Sequence, residues 1–216
     1  MLTKIMSILY SLYYNFKCFD VKTALKIPLF LSYRVKVLGL KKGCIVLESP
    51  AKFGMFRMGF SEGSFGRGEG KTVLQIAGKG TIYIKDTAYI AKSSVINVSH
   101  GELHFGRRFE ANYGLLISCA KKIAFGDDCA IGWNCTFLDA DGHTIMANGK
   151  KNEAREVIIG DHTWICAECT CLKGTNISPG SVVAFGSVVS RKMACENTLI
   201  GGNPAHEIKS IKGWEK

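Results

Sequence analysis

Proline and long apolar runs are both scarce in this chain. It has 4 prolines among 216 residues, and no uninterrupted apolar stretch is long enough to span a bilayer. Together with 24 glycines and a hydrophobic fraction of 47%, this composition excludes a disordered chain and fits a well-buried, β-rich protein. The apolar segment from Ile5 to Tyr14 is not followed by a convincing signal-peptide cleavage site, so we expect a cytoplasmic protein.

Acidic residues are nearly absent from the first quarter of the chain. Residues 1–52 contain nine Lys or Arg but only Asp20 and Glu48, which supplies +7 of the net charge of +10. The charge is not interleaved with a nucleic-acid-binding motif, so we expect no nucleic-acid partner.

Six apolar residues share one helical face: Ile5, Ile8, Leu9, Leu12, Tyr13 and Phe16. We expect this face to pack on the rest of the chain or on a neighbouring subunit. The alternative is contact with an anionic membrane at its inner face.

A six-residue period dominates the second half of the chain. Large positions recur at Ile159, Ile165, Cys171, Ile177, Val183 and Val189, and small ones at Thr163, Cys169, Thr175, Ser181 and Ser187. The same pattern appears upstream at Phe125, Ile131 and Phe137, and at Ile84, Ile90 and Ile96. A fixed period of this length predicts a narrow, triangular parallel β-helix, with large side chains inside and small ones at tight corners. The alternative is an ordinary β-sandwich with glycine-rich turns.

Nine cysteines raise the question of a metal site or disulfides. Cys129, Cys135 and Cys169 occupy small positions of the repeat, whereas Cys171 and Cys195 fall on the large ones. No second pair of ligands stands at zinc-site spacing, so we expect no metal. These positions suit compact apolar side chains, and reduced cysteine is one of them.

The repeat divides the chain into three parts. Residues 1–50 are predicted to be a basic, partly helical extension, 51–203 the β-helix, and 204–216 a tail anchored by Trp214. Within the β-helix, residues 54–70 are glycine-rich and weakly patterned. The period also fails between Phe137 and Ile159, so residues 138–158 are predicted to leave the coil as an excursion. It contains Asp139, Asp141 and His143, and function tends to concentrate in loops held by a rigid scaffold.

Several motifs resemble the hexapeptide-repeat acyltransferases. They are the hexapeptide pattern itself, Asp139-x-Asp141-Gly142-His143, Ile159–Ile165, Gly186–Val189 and Gly202–Ala205. Over roughly residues 80–210, the chain is most similar to galactoside and maltose O-acetyltransferases and their relatives in surface-polysaccharide or lipopolysaccharide synthesis. The resemblance implies a left-handed parallel β-helix, acetyl-CoA as donor in a groove between neighbouring coils, and a sugar hydroxyl as acceptor. It also implies a homotrimer, because the family builds its active sites between subunits.

The resemblance also implies the catalytic residues. His143 matches the histidine that takes the proton of the acceptor hydroxyl, a step for which neutral imidazole is suited. Either Asp139 or Asp141 could orient that ring, and we favour Asp139, with Asp141 near the acceptor. Asn112 matches an asparagine that holds the acceptor or the tetrahedral centre. Trp164 matches a tryptophan that borders the active groove.

For the cofactor, the resemblance implies contacts along the coil. Trp164, Ala167, Phe185 and Gly186 would line the pantetheine arm, with Ser190, Arg191 and Lys192 near the nucleotide phosphates. Phe185 departs from the alanine usual in the family and is expected to narrow this groove or pack on the cofactor.

Three alternatives stay open at this stage. A non-catalytic β-helix that binds a partner is favoured by the basic N-terminal segment and by Phe185. An O-acetyltransferase acting on an antibiotic alcohol would keep the chemistry and change the acceptor. A carbonic anhydrase on the same coil would need converging metal histidines, and no second histidine follows His143 within ten residues.

Overall fold

Short strands wound in successive turns make up most of the computed structural model, which describes residues 2–60, 70–144, 146–147 and 150–215. Most of the weakly patterned glycine-rich segment (61–69) and residues 145, 148 and 149 of the excursion lie outside the described residues. The helices are α1 (Leu2–Cys18) and α2 (Val21–Ala24). The strands are β1 (Leu29–Leu31), β2 (Lys36–Leu38), β3 (Ile45–Leu47), β4 (Phe56–Phe60), β5 (Val73–Ile76), β6 (Thr81–Ile84), β7 (Ala88–Ala91), β8 (Val95–Val98), β9 (Glu102–Phe105), β10 (Phe109–Ala111), β11 (Leu116–Cys119), β12 (Lys122–Phe125), β13 (Ala130–Ile131), β14 (Thr136–Leu138), β15 (Met146–Ala147), β16 (Lys150–Lys151), β17 (Val157–Ile159), β18 (Trp164–Ile165), β19 (Thr170–Cys171), β20 (Asn176–Ile177), β21 (Val182–Val183), β22 (Val188–Val189), β23 (Lys192–Met193), β24 (Thr198–Gly202) and β25 (Ala205–Ser210).

These strands form three long sheets that are the sides of a triangular prism. Sheet A runs in the order β1-β4-β7-β10-β13-β18-β21-β24-β25, sheet B in the order β2-β5-β8-β11-β14-β19-β22, and sheet C in the order β3-β6-β9-β12-β17-β20-β23. Neighbouring strands in each sheet are parallel, except for the closing antiparallel pair β24 and β25. The predicted left-handed parallel β-helix is confirmed, and the β-sandwich alternative is wrong.

The hexapeptide pattern fills the interior of this prism as predicted. Every large position from Ile159 to Val189 and every small position from Thr163 to Ser187 is buried. The small hydroxyls are satisfied by backbone carbonyls of the tight turns: Thr163 Oγ1 donates to Gly160 O at 2.8 Å, and Ser187 Oγ to Ala184 O at 2.6 Å. A buried hydroxyl is tolerated because it has such a partner.

Glycine follows several large positions because the next coil passes directly over it. A Cβ at Gly132 would lie 2.5 Å from Ala167 N, and one at Gly126 would lie 2.6 Å from Asp161 N. Strands that stack at a spacing of about 4.8 Å leave no room for a side chain that points along the prism axis. Glycine is therefore required by close approach of the backbone at these two positions.

The six-residue period predicted that Cys195 would occupy a large, interior position. This prediction is wrong, because Cys195 is exposed. The turn between β22 and β23 is only two residues long, so the buried residue that follows Val189 is Met193, in register with Ile177. The other eight cysteines are buried or half-buried, and all nine are free thiols.

The coil begins earlier than the hexapeptide pattern shows. Strands β1, β2 and β3 already form one complete turn of the prism within residues 1–50. α1 lies on β1, with Ser7, Ser11 and Asn15 buried. The expected packing of its apolar face on the coil is wrong, because that face points outward. Among the described residues, no helix is both long and apolar enough to cross a bilayer.

Candidate active site

Three columns of turns run along the corners of the prism, and two of them carry all the predicted site residues except Trp164, on β18, and Lys192, on β23. The AB corner joins sheets A and B and includes residues 112–115, 132–135, 166–169 and 184–187. The BC corner joins sheets B and C and includes 120–121, 139–156, 172–175 and 190–191. The predicted excursion thus occupies residues 139–156 of the BC corner, between β14 and β17, and its described part contains the antiparallel pair β15 and β16.

Asp139 closes the base of this excursion. Its carboxylate is fully buried and accepts hydrogen bonds from the backbone N–H groups of Ala120 (2.8 Å) and Lys121 (2.7 Å). Its carbonyl accepts from Arg155 N at 2.9 Å, where the chain returns to the coil. Both carboxylate oxygens are thereby engaged by the preceding turn of the BC corner. The structure shows Asp139 as an anchor of the loop, and its predicted contact with the His143 ring is not among the hydrogen bonds formed.

Asp141 ties the outer part of the excursion to the next coil. Its carboxylate accepts from the Lys173 ammonium and from the Asn152 side-chain amide. The Lys173 hydrogen bond, followed by that of Asn152, lowers the pKa of Asp141 below its ordinary value. Asn152 also donates to the carbonyl of His143 at 3.1 Å. The backbone of His143 is therefore held in place while its side chain remains exposed.

The ring of His143 makes no hydrogen bond with the residues that the structure describes. Ser190 and Arg191 lie at the same BC corner, two coils further along. Both are exposed, as is the neighbouring Lys192, and Arg191 Nη2 donates to Ala205 O at 3.2 Å. The BC corner thus carries the predicted base and Arg191, and Lys192 follows at the start of β23.

A second group of predicted residues lies at the AB corner. Asn112 is exposed and lines a cavity of about 380 Å³ with Arg57, Tyr89 and Glu110. Further along the same corner, Gly186 N donates to Ala167 O at 3.1 Å, which stacks these two predicted cofactor residues. Phe185 stands beside them with 67% of its surface exposed, so its ring is available to a ligand along the corner.

Trp164 lies on the outer face of sheet A and is partly covered by the C-terminal tail. Its ring centroid is 5.9 Å from that of Trp214. Trp214 itself stacks on His162 at 4.5 Å, and its Nε1 donates to His162 O at 2.7 Å. Trp214 therefore packs the end of the tail against His162 and next to Trp164, a predicted groove residue.

The predicted site residues thus form two separate halves on one chain. His143, Ser190 and Arg191 lie at the BC corner, whereas Asn112, Ala167 and Phe185 lie at the AB corner. A full sheet lies between the two corners. Within the described residues, no group of three His, Cys, Asp or Glu side chains is placed to hold a metal ion.

Comparison with known proteins gives relatives for about half of the chain. Galactoside O-acetyltransferase of Escherichia coli K12 is 30% identical over 117 residues, covering 53% of this chain and 57% of that protein. WbbJ of the same organism, named for O-acetyl transfer in lipopolysaccharide biosynthesis, is 44% identical over 132 residues, covering 54% of this chain and 66% of that protein. The chain therefore spans less than two thirds of the length of these curated relatives. No protein-family model matches it.

The fold has a counterpart among solved structures. The polySia-specific acetyltransferase NeuO aligns with a TM-score of 0.51 at 17% identity, over 84% of this chain and 76% of NeuO. The chain is similar in sequence to named O-acetyltransferases over about half of its length, and similar in fold to NeuO. The resemblance stated from its motifs is confirmed, while the roles of individual residues stay predictions.

One part of the surface beside Asn112 was not predicted from the sequence. Arg57, Tyr89 and Glu110 are paired in register on β4, β7 and β10, and together they line the cavity there. Alternation along the strands could have indicated them, since each of the three follows a buried residue of its own strand, namely Phe56, Ala88 and Phe109. The irregular period of these early coils concealed it.

Proposed function

We propose that this chain is an acetyl-CoA-dependent O-acetyltransferase that acts on a sugar hydroxyl, with His143 as general base. The observation that carries the proposal is the anchored excursion at the BC corner. Asp139 and Asp141 both fasten the loop that carries His143, and the imidazole is left exposed. A buried or hydrogen-bonded ring would have to break contacts before it could serve a substrate, whereas this one is available.

In the proposed reaction, His143 removes the proton of the acceptor hydroxyl as its oxygen attacks the thioester carbon. The tetrahedral centre then collapses, the C–S bond breaks, and the imidazolium returns the proton to the departing thiolate of CoA. The step needs no acyl-enzyme. Cys166 is a poor candidate nucleophile because burial raises its pKa to about 11, and Cys169 is buried.

The site is proposed to form between subunits of a homotrimer. The AB corner of one subunit would supply Asn112, Ala167, Phe185 and Gly186, and the BC corner of its neighbour would supply His143. The division of the site residues between two corners supports this arrangement, because a full sheet separates His143 from Asn112 within one chain. Cyclic symmetry repeats such a heterologous contact and gives three identical sites in a closed ring.

Within this site, Trp164 would contact the pantetheine arm of the donor, together with Ala167, Phe185 and Gly186 at the AB corner. Arg191 and Lys192 would neutralise its phosphates, with Ser190 as a hydrogen-bond donor. Asn112 and Asp141 would contact the acceptor. The names of WbbJ and of polysialic acid O-acetyltransferase of Neisseria meningitidis, which is 35% identical over 66 residues, support a surface-polysaccharide or lipopolysaccharide sugar as acceptor.

The test is thiol release from acetyl-CoA against a panel of sugars, with antibiotic alcohols as a second panel. We expect His143→Ala to lower kcat by about 10²–10⁴-fold while the oligomer is retained. His206→Ala is the matched control, since His206 is an exposed histidine on β25, and it should keep full activity. Undiminished turnover by the His143 variant would refute the proposed base. Turnover of antibiotics alone would replace the sugar acceptor, and inactivity on both panels with no CoA binding would favour a non-catalytic binding protein.

A further inference from the structure

The N-terminal helix is turned the opposite way from an ordinary amphipathic surface helix. Ser7, Ser11 and Asn15 are spaced four residues apart and lie on one face of α1, and all three are at most 2% exposed. An amphipathic helix normally buries its apolar face against the core. Here the polar face is buried, so the cause must lie in what that face contacts.

That polar face covers the open edge of β1, the first strand of sheet A. Within the part of the chain that the structure describes, β1 pairs with β4 on one side only, so the N–H and C=O groups of Leu29 and Leu31 have no strand partner there. Asn15 supplies both missing bonds to Leu29, with Nδ2 donating to its carbonyl at 2.7 Å and Oδ1 accepting from its N–H at 3.1 Å. Ser11 Oγ accepts from Leu31 N at 2.8 Å and donates to Leu31 O at 3.2 Å. The helix thus blocks an edge that would otherwise be open to strand addition.

The consequence is an outward face that is apolar. Its side chains are 39–63% exposed: Ile5, Met6, Ile8, Leu9, Tyr13 and Phe16. Val21 and Leu25, in and just after α2, extend it and are 64% and 63% exposed. A contiguous apolar surface of this kind marks a contact site. We refer to these eight residues as the outer face.

Positive charge surrounds the outer face. Lys4, Lys17, Lys22 and Lys26 are all exposed, and Asp20 is the one acidic residue before Glu48. Asp20 is also engaged locally, since its carboxylate accepts from Thr23 N at 3.1 Å as the cap of α2. Lys17 Nζ lies 4.7 Å from the centroid of the Tyr13 ring, at the border between apolar and charged surface. An apolar strip bordered by lysines is complementary to an anionic lipid headgroup layer.

The position of the outer face favours a planar partner. α1 lies on an edge strand, so the outer face is at one end of the prism rather than on one of its sides. A symmetric contact with a second copy would bring the same lysines of both copies together, which is unfavourable. We propose that the outer face binds the surface of an anionic bilayer, with α1 lying in the plane of the headgroups.

The test is flotation of the full-length chain with vesicles of phosphatidylcholine alone or mixed with phosphatidylglycerol. Wild type is expected to float with the mixed vesicles and to be released by high salt. Leu9→Glu should lower the partition coefficient at least about tenfold, because it places a charge in the centre of the apolar strip. Replacement of Lys17, Lys22 and Lys26 by Gln should weaken binding to the mixed vesicles by roughly tenfold or more.

Ile208→Glu is the matched control, since Ile208 is 51% exposed on β25 at the opposite end of the prism. This variant should float like wild type. Failure of the wild type to float with either vesicle would overturn the proposal, as would equal flotation of Leu9→Glu. The oligomer mass of the wild type and of each variant is measured by analytical sedimentation, which tests the alternative that the outer face binds another copy of the chain. A wild type that does not float, and whose oligomer is reduced in mass by Leu9→Glu, would show that the outer face joins copies of the chain.

Discussion

Asn15 pairs with the edge of β1 as the peptide group of a neighbouring strand would. Its amide presents one donor and one acceptor side by side, which is the pattern that the backbone of Leu29 requires. Hydrophobic patterning predicted a helix here and placed six residues on its apolar face. Whether that face would point toward the coil or toward solvent could not be predicted. Hydrophobic patterning does not show that the helix covers the edge of a strand whose backbone groups need polar partners.

We predict that Asn15→Ala lowers the free energy of unfolding by about 2–4 kcal/mol, because it leaves two buried backbone groups of Leu29 unsatisfied. The measurement is urea denaturation followed by circular dichroism. Tyr13→Ala serves as control because Tyr13 is 55% exposed on the same helix, and it should change stability by about 0.5 kcal/mol at most. Equal effects of the two substitutions would argue against capping of the edge by Asn15.

At the scale of the element, the hexapeptide pattern predicted the coil well where strands are two residues long. From β18 to β22 each strand has two residues and contributes one large residue to the interior, so the period is visible. The earlier strands are mostly three to five residues long, and most of the four-residue strands bury two alternate side chains instead of one. This lengthening disrupts the six-residue spacing and explains why the first coil, within residues 1–50, was not predicted. The excursion was predicted because a break in a regular period is itself a signal.

The glycines between coils give a prediction at this scale. Gly132→Ala should lower the free energy of unfolding by about 1–3 kcal/mol, since its Cβ would overlap the backbone of Ala167 and force two coils apart. Gly142→Ala is the matched control, because nothing lies within 4 Å of a Cβ at that position. Thermal melts of both variants provide the comparison. A Gly132 variant as stable as the Gly142 variant would show that the coils can separate at little cost.

For the whole molecule, the sequence indicated which residues matter but not how they are distributed. The family resemblance named His143 and Asn112 for one site, yet the structure puts them at different corners of the prism. Corner assignment depends on the summed lengths of all preceding strands and turns, so a local motif does not determine it. The position of Trp214 against His162 was equally inaccessible, since 52 residues separate the two along the chain.

A mixing experiment tests whether the site forms between subunits. His143→Ala and Asn112→Ala subunits, each inactive alone, should recover about a quarter of wild-type activity after unfolding and refolding together at equal amounts. The recovery arises because one in four random subunit contacts joins an intact His143 to an intact Asn112. The readout is thiol release. A mixture that stays inactive although mixed oligomers form, as shown by mass spectrometry, would locate the whole site within one chain.

The stacking of the strands also fixes how far the predicted site residues lie from the α1 end of the prism. Sheet A places β10, with Asn112 at its end, three strands from β1, and β18, with Trp164, five strands away. At the usual strand spacing these are distances of about 14 Å and about 24 Å along the prism. If α1 lies on a bilayer as proposed, the prism would hold the proposed active site at about these heights above the headgroups. Hydroxyls of a lipid's first sugar would pass beneath it, and those further out along a tethered glycan would be within reach.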